Sequence, residues 1–195
     1  MRFAYGVRRT TRSTTRARHL ASGYGLSAIG YRPSTTDNQT MNLFLVRHAI
    51  AADALPGQDD DARPLTPEGI ERFGRMVRAL EKLGVGFDRI YFSPKLRAVQ
   101  TADLLMPLLE GEAEVTPYLA EPPSSALLEQ LRGESVALVG HEPWMGELCA
   151  WLVTGERWGE HFPFKKGGVA HLEGRPEPGG MRLLAFLPPA IGRKL

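Results

Sequence analysis

Cysteine is almost absent. Cys149 stands alone among 195 residues, so no internal disulfide can form and no cysteine-based zinc site is readable. Long apolar runs are missing too. No stretch approaches the eighteen or more apolar residues of a membrane span, and no apolar segment follows the early arginines as it would in a secretory signal. These absences set the expectation of a cytoplasmic protein in a reducing compartment, with no membrane partner. Acidic residues are scarce at one end only. Residues 1–40 hold seven arginines (Arg2, Arg8, Arg9, Arg12, Arg16, Arg18, Arg32) against Asp37, leaving 17 basic and 21 acidic residues for the rest. The net charge of +2 therefore belongs to the leader. The main body is mildly acidic, which argues against a nucleic-acid partner.

What is present is a composition of ordinary globular kind, 43% hydrophobic and 24% charged. It suffices for one domain of normal size plus an appendage. Residues 1–40 are rich in Arg, Ser, Thr and Gly and show no apolar periodicity. They read as a basic, disordered leader, as a transit peptide, or as sequence upstream of a start at Met41. The domain is expected over 41–195.

Within it, strands and helices alternate. Asn42–Val46 is a short apolar run ending in Arg47-His48. Thr66-Pro67-Glu68 has the chemistry of a helix start, and Ile70, Phe73, Val77, Leu80 and Leu83 form an apolar stripe that Gly84 ends. Phe87–Phe92 reads as a second strand, followed by Ser93-Pro94 and a helix from Lys95 to Leu109, with Ser93 as its cap. A third strand is expected at Glu114–Tyr118, a short helix around residues 126–131, and a fourth strand at Ser135–Val139. The last ends in Gly140-His141 before a helix from Pro143 to Val153. Residues 167–173 and 181–187 read as an antiparallel hairpin. The alternation predicts an α/β fold in layers on a mainly parallel sheet.

Three strands thus end in phosphate-friendly groups: Arg47 and His48, then Ser93 with Arg97 just beyond, then His141. A parallel sheet brings those ends to one edge, the usual ligand edge of open α/β sheets. Two arginines and two histidines converging there suit phosphoryl transfer, in which forks of N–H groups hold the equatorial oxygens. A neutral imidazole can attack phosphorus. A second one, protonated by anionic surroundings, can donate to the same oxygens.

The stretches Leu45-Val46-Arg47-His48-Ala49, Arg63-Pro64-Leu65-Thr66-Pro67-Glu68-Gly69, Ser93 to Ala102, and Val139-Gly140-His141-Glu142-Pro143 together resemble the histidine phosphatase superfamily, and within it the SixA-type phosphohistidine phosphatases. The resemblance implies a three-layer α/β/α sandwich of the phosphoglycerate mutase-like kind. It implies His48 as nucleophile, Arg47 and Arg97 as phosphate clamps, and His141 as the group that completes the pocket, with no metal and no organic cofactor. Ala49 stands where the commonest family form has glycine. The loop Ile50-Ala51-Ala52-Asp53 lacks the residues of the mutase-like members, which favours the SixA branch.

Glu121 is the candidate general acid, against its reading as a plain loop carboxylate. Arg63 and Lys166 are candidates for the pocket rim, against readings as a loop anchor and a solvated lysine. The expected activity is hydrolysis of protein phosphohistidine through a phosphohistidine intermediate. A small-molecule phosphomonoesterase acting on a sugar phosphate or nucleotide, and a non-catalytic phosphate-binding module, are the alternatives. The expected partner is a phosphorylated protein or metabolite, and the expected state a monomer or weak dimer.

Overall fold

The structure, a computed structural model, describes residues 40–193. The expected disordered leader lies outside the described residues except for Thr40. Six strands form one sheet: β1 (Met41–Arg47), β2 (Phe87–Phe92), β3 (Leu109–Val115), β4 (Ser135–Gly140), β5 (Val169–Gly174) and β6 (Met181–Leu187), in the order β3-β2-β4-β1-β5-β6. Pairs β3-β2, β2-β4 and β4-β1 are parallel, whereas β1-β5 and β5-β6 are antiparallel. The helices are α1 (Pro67–Lys82), α2 (Leu96–Leu105), α3 (Ser125–Gln130) and α4 (Trp144–Thr154).

Side chains alternate across a strand, and β1 uses both faces. Phe44 and Val46 pack with Phe73, Met76 and Leu80 of α1 and with Ala98, Ala102 and Leu105 of α2. Leu43 and Leu45 pack on the other side, with Leu127 of α3 and Met145, Leu148 and Leu152 of α4. The two cores make the molecule an α/β/α sandwich. They also explain why β1 and β4 read as continuous apolar runs: strands covered on both faces need no polar side.

Helix α1 starts as its sequence predicts. The Thr66 hydroxyl accepts the Gly69 N–H at 3.0 Å, and Pro67 fills the first helical position. The apolar stripe is narrower than the periodicity implies. Ile70 and Leu83 are largely exposed, and Gly69 and Met76 are buried instead. A Cβ on Gly69 would lie 2.1 Å from the Ile50 carbonyl oxygen, so only glycine lets the helix approach the loop after β1 this closely.

Two boundaries differ from the sequence reading. Helix α2 ends at Leu105, because Pro107 cannot donate to a continuing helical ladder, and a 3-10 turn spans Met106–Leu108. The third strand begins at Leu109 and stops at Val115, since Pro117 opens another 3-10 turn over Pro117–Ala120. Strand β3 lies at the sheet edge with Glu110, Glu112 and Glu114 exposed. An edge strand bristling with charge shows no apolar alternation. No helix among the described residues is long and apolar enough to cross a membrane.

Candidate functional site

The carboxyl ends of β2, β4 and β1 lie side by side. Backbone bonds carry the parallel ladder past the strand ends: Ser93 N–H donates to Val139 O at 3.0 Å, and His48 N–H donates to Gly140 O at 3.0 Å. The residues that follow each strand are thereby held in register. His48 and His141 meet with ring centroids 5.1 Å apart, both buried.

The His48 ring is held by its own neighbour. Nδ1 donates to the Ala49 carbonyl oxygen at 2.7 Å. A carbonyl only accepts, so Nδ1 carries the proton and Nε2 keeps its lone pair. Burial, followed by the charges of Arg97, Arg47 and Lys166, pushes the His48 pKa down to about 4, against a smaller upward pull from the Ala49 carbonyl. The ring is therefore a neutral base at physiological pH. The Ala49 N–H in turn donates to Thr101 Oγ1 at 3.0 Å, and Thr101 Oγ1 donates to Arg97 O at 2.6 Å. Thr101 is fully buried on α2 and ties the turn after β1 to the helix that carries Arg97.

His141 is bonded to Ser93: Nε2 and Ser93 Oγ are 2.8 Å apart. The same oxygen accepts the Lys95 N–H at 3.3 Å, and the imidazole is the one acceptor among the described residues that its own proton can reach, so the hydroxyl donates to Nε2. In that arrangement His141 Nδ1 is the protonated nitrogen. Burial, then competition with the facing His48 for a proton and the charges of Arg97 and Lys95, pushes the His141 pKa down to about 3. This corrects the expectation of a protonated second histidine. Its surroundings are cationic rather than anionic, and it serves as a donor while neutral. It also corrects the role of Ser93, which is buried against His141; the N-cap position of α2 falls to Lys95.

The arginines are anchored at one end. Arg47 Nη1 donates to the Phe164 carbonyl at 2.5 Å, and the Phe164 N–H donates to Glu142 Oε1 at 2.6 Å. Arg97 Nη1 donates to Asp60 O at 2.7 Å and Nη2 to Asp60 Oδ2 at 3.0 Å. Four buried side-chain polar atoms lack a hydrogen-bond partner among the described residues, and three belong here: Arg47 Nε, Arg97 Nε and His141 Nδ1. An unpaired buried donor costs about 1–3 kcal/mol. Three around two facing imidazoles make a site built to receive an anion rich in acceptors.

Asp60 is the residue that sequence reasoning missed. It lies in a 3-10 turn, Asp60–Ala62, whose acidic run reads as an ordinary polar loop. Its carboxylate meets Arg97, Arg63 at 2.8 Å and Lys95 at 3.7 Å. Its slight burial favours the neutral form, but the hydrogen bonds and charges of Arg97 and Arg63 outweigh it and hold the pKa below the ordinary value. The only signal in the sequence is an acidic run between two arginine motifs. Arg63 is a loop anchor, tied to Asp60 and to Ala52 O at 2.8 Å. Glu121 is exposed and makes no hydrogen bond or ion pair with the four convergent residues. Lys166 lines a cavity that also reaches Arg47 and Ala49. No group of three or more His, Cys, Asp or Glu side chains among the described residues could hold a metal ion.

Comparisons with known proteins agree with this geometry. Residues 43–122 match the model of the histidine phosphatase superfamily, branch 1. The chain is 37% identical over 145 residues to an uncharacterized protein of Picosynechococcus sp., covering 68% of this chain and 84% of that protein. It is 36% identical over 125 residues to the phosphohistidine phosphatase SixA of Escherichia coli K12, covering 60% of this chain and 76% of that one. The solved structure of the protein histidine phosphatase SixA complexed with tungstate superposes with a TM-score of 0.65 at 29% identity, over 77% of this chain and 99% of that one. On these grounds the chain belongs to the histidine phosphatase superfamily, as a phosphatase of the SixA type.

Proposed function

We propose that the protein dephosphorylates phosphohistidine on another protein, through a phosphorylated His48. The observation that carries this reading is the state of His48: a neutral imidazole whose Nδ1–H is engaged by Ala49 O, leaving Nε2 as nucleophile beside three unpartnered donors. In the first step Nε2 forms a bond to phosphorus as the bond from phosphorus to the substrate nitrogen breaks. Arg47, Arg97 and the Nδ1–H of His141 receive the charge on the phosphoryl oxygens. In the second step water attacks the phosphorus of phospho-His48, releasing inorganic phosphate and a proton and restoring the imidazole.

The leaving group supports a phosphoramidate substrate. When the second nitrogen of a phosphorylated imidazole carries a proton, the ring departs neutral and needs no acid from the enzyme. That suits a site in which Glu121 is exposed and makes no hydrogen bond or ion pair with the four convergent residues. A likeness to proteins named for phosphohistidine and protein histidine phosphatase activity points the same way.

The test is single-turnover labelling. Wild type mixed with a phosphohistidine protein or with p-nitrophenyl phosphate is expected to yield acid-labile phosphate on His48, and His48→Ala to lose turnover by about 10³-fold or more while keeping its fold. Label on another residue would overturn the nucleophile. Turnover of phosphomonoesters with none of phosphohistidine would overturn the substrate class.

A further inference from the structure

Beside the His48 site lies a cavity of about 530 Å³ with an uneven charge lining. Arg47, Arg72, Lys165 and Lys166 reach it, and no acidic side chain does. Arg72 is shared with Glu68 on the same helix at 2.5 Å. Neither lysine ammonium makes an ion pair or hydrogen bond among the described residues, and both lysines are exposed. Between the cations the lining is apolar, with Ile50, Phe73 and Pro188.

The cavity is continuous with the candidate site rather than remote from it. Arg47 and Ala49 belong to both, and the Lys166 charge is felt at His48. A group bound there would be joined to whatever presents the phosphoryl group to His48. One phosphate would leave most of the volume empty. An apolar floor with cations at the rim matches a polypeptide stretch, whose aliphatic stems lie on Phe73 and Ile50 while its carboxylates reach the lysines.

Resting on the reading of a phosphohistidine protein as substrate, we infer that this cavity is a specificity subsite for acidic residues flanking the phosphorylated histidine. Arg72 and Lys165 are its recognition residues, and Lys166 joins it to the reacting centre. Unpaired rim cations of this kind set substrate choice and encounter more than the rate of the chemical step.

The experiment compares two synthetic phosphohistidine peptides, one flanked by glutamates and one by alanines, on wild type and on the double variant Arg72→Ala/Lys165→Ala. Wild type is expected to show a KM about three- to tenfold lower for the acidic peptide, as two exposed charge pairs allow. That preference should fade as salt rises from about 0.05 M to about 0.5 M, where the screening length falls below the reach of a side chain. In the double variant it should shrink to less than about twofold. Both proteins should keep the same kcat and the same kinetics on p-nitrophenyl phosphate, which carries no flanking carboxylate for Arg72 or Lys165 to recognise. Equal KM values for the two peptides on wild type would overturn the inference. So would a loss of p-nitrophenyl phosphate turnover in the variant, which would mark these residues as supports of the fold. If neither peptide is a substrate while p-nitrophenyl phosphate is, the substrate class has failed. A sugar bisphosphate and its monophosphate then replace the peptides. A preference for the bisphosphate that the double variant loses would reassign the cavity to a metabolite, and no preference would dismiss it as a subsite. Both results overturn the polypeptide assignment.

Discussion

Ser93 shows how much of the site depends on a residue with no chemistry of its own. It is fully buried, accepts the Lys95 N–H, and hands its proton to His141 Nε2. That decides which nitrogen of His141 is the donor. Ser93→Ala is expected to leave Nε2 without its partner, costing about 1–3 kcal/mol of stability. Nitrogen NMR should show His141 shifting toward the other tautomer, and turnover of p-nitrophenyl phosphate should fall about tenfold. An unchanged tautomer with unchanged turnover would remove Ser93 from the site. The sequence made Ser93 visible only as a polar residue before Pro94, the ordinary dress of a helix cap. Its partner lies 48 residues away, so neither local propensity nor spacing reveals the bond. The same holds for Asp60 in part: Arg63 is a local partner three residues on, but Lys95 and Arg97 come from the start of α2. Arg47, His48, Arg97 and His141 were legible because each stands at or just past the end of an apolar strand, where a parallel sheet gathers such residues.

At the scale of elements, the site is a joint between β1 and α2. Thr101 makes that joint, receiving Ala49 N–H and donating to Arg97 O, so one hydroxyl couples the turn behind His48 to the helix bearing Arg97. Thr101→Val keeps the shape but strands the Ala49 N–H in the interior. The expected cost is about 1–3 kcal/mol, or roughly 3–9 °C in Tm for a domain of this size, measurable by calorimetry. Turnover should fall with it, since the Ala49 carbonyl that orients His48 belongs to the same turn. A variant as stable and active as wild type would show that α2 and β1 are held by packing alone. Element boundaries were legible where proline, glycine and capping chemistry mark them, as at Thr66-Pro67. They slipped at β3, whose exposed glutamates at the sheet edge carry no apolar period.

For the whole molecule, two buried histidines that stay neutral make stability depend on pH. In the unfolded chain a histidine takes a proton near its ordinary pKa of about 6.5. In the folded protein His48 does so at about 4 and His141 at about 3. Between these values the unfolded state binds more protons, so stability is full above about pH 6.5 and falls as the pH drops toward 4 and below. Asp60 adds to the loss at the acid end, because protonation weakens its hold on Arg97 and Arg63. Thermal unfolding from pH 7.5 to 4 is expected to show Tm falling steadily below about pH 6.5. His141→Asn should flatten that slope, and a slope unchanged in the variant would show that His141 is not held neutral.

What the sequence determined by itself is the set of strands with two buried faces, the start of α1, and the identity of the four groups at the strand ends. These are local properties: runs of apolar side chains, a capping threonine, a proline at a first helical position, and the residue types that follow. Only the tertiary structure decided which nitrogen of each histidine bears the proton, that His141 is neutral, that Asp60 grips Arg97, and that four cations share one cavity. Each of those depends on burial and on partners brought from distant segments, and the free energy of a charge or a hydrogen bond is set by what surrounds it in space.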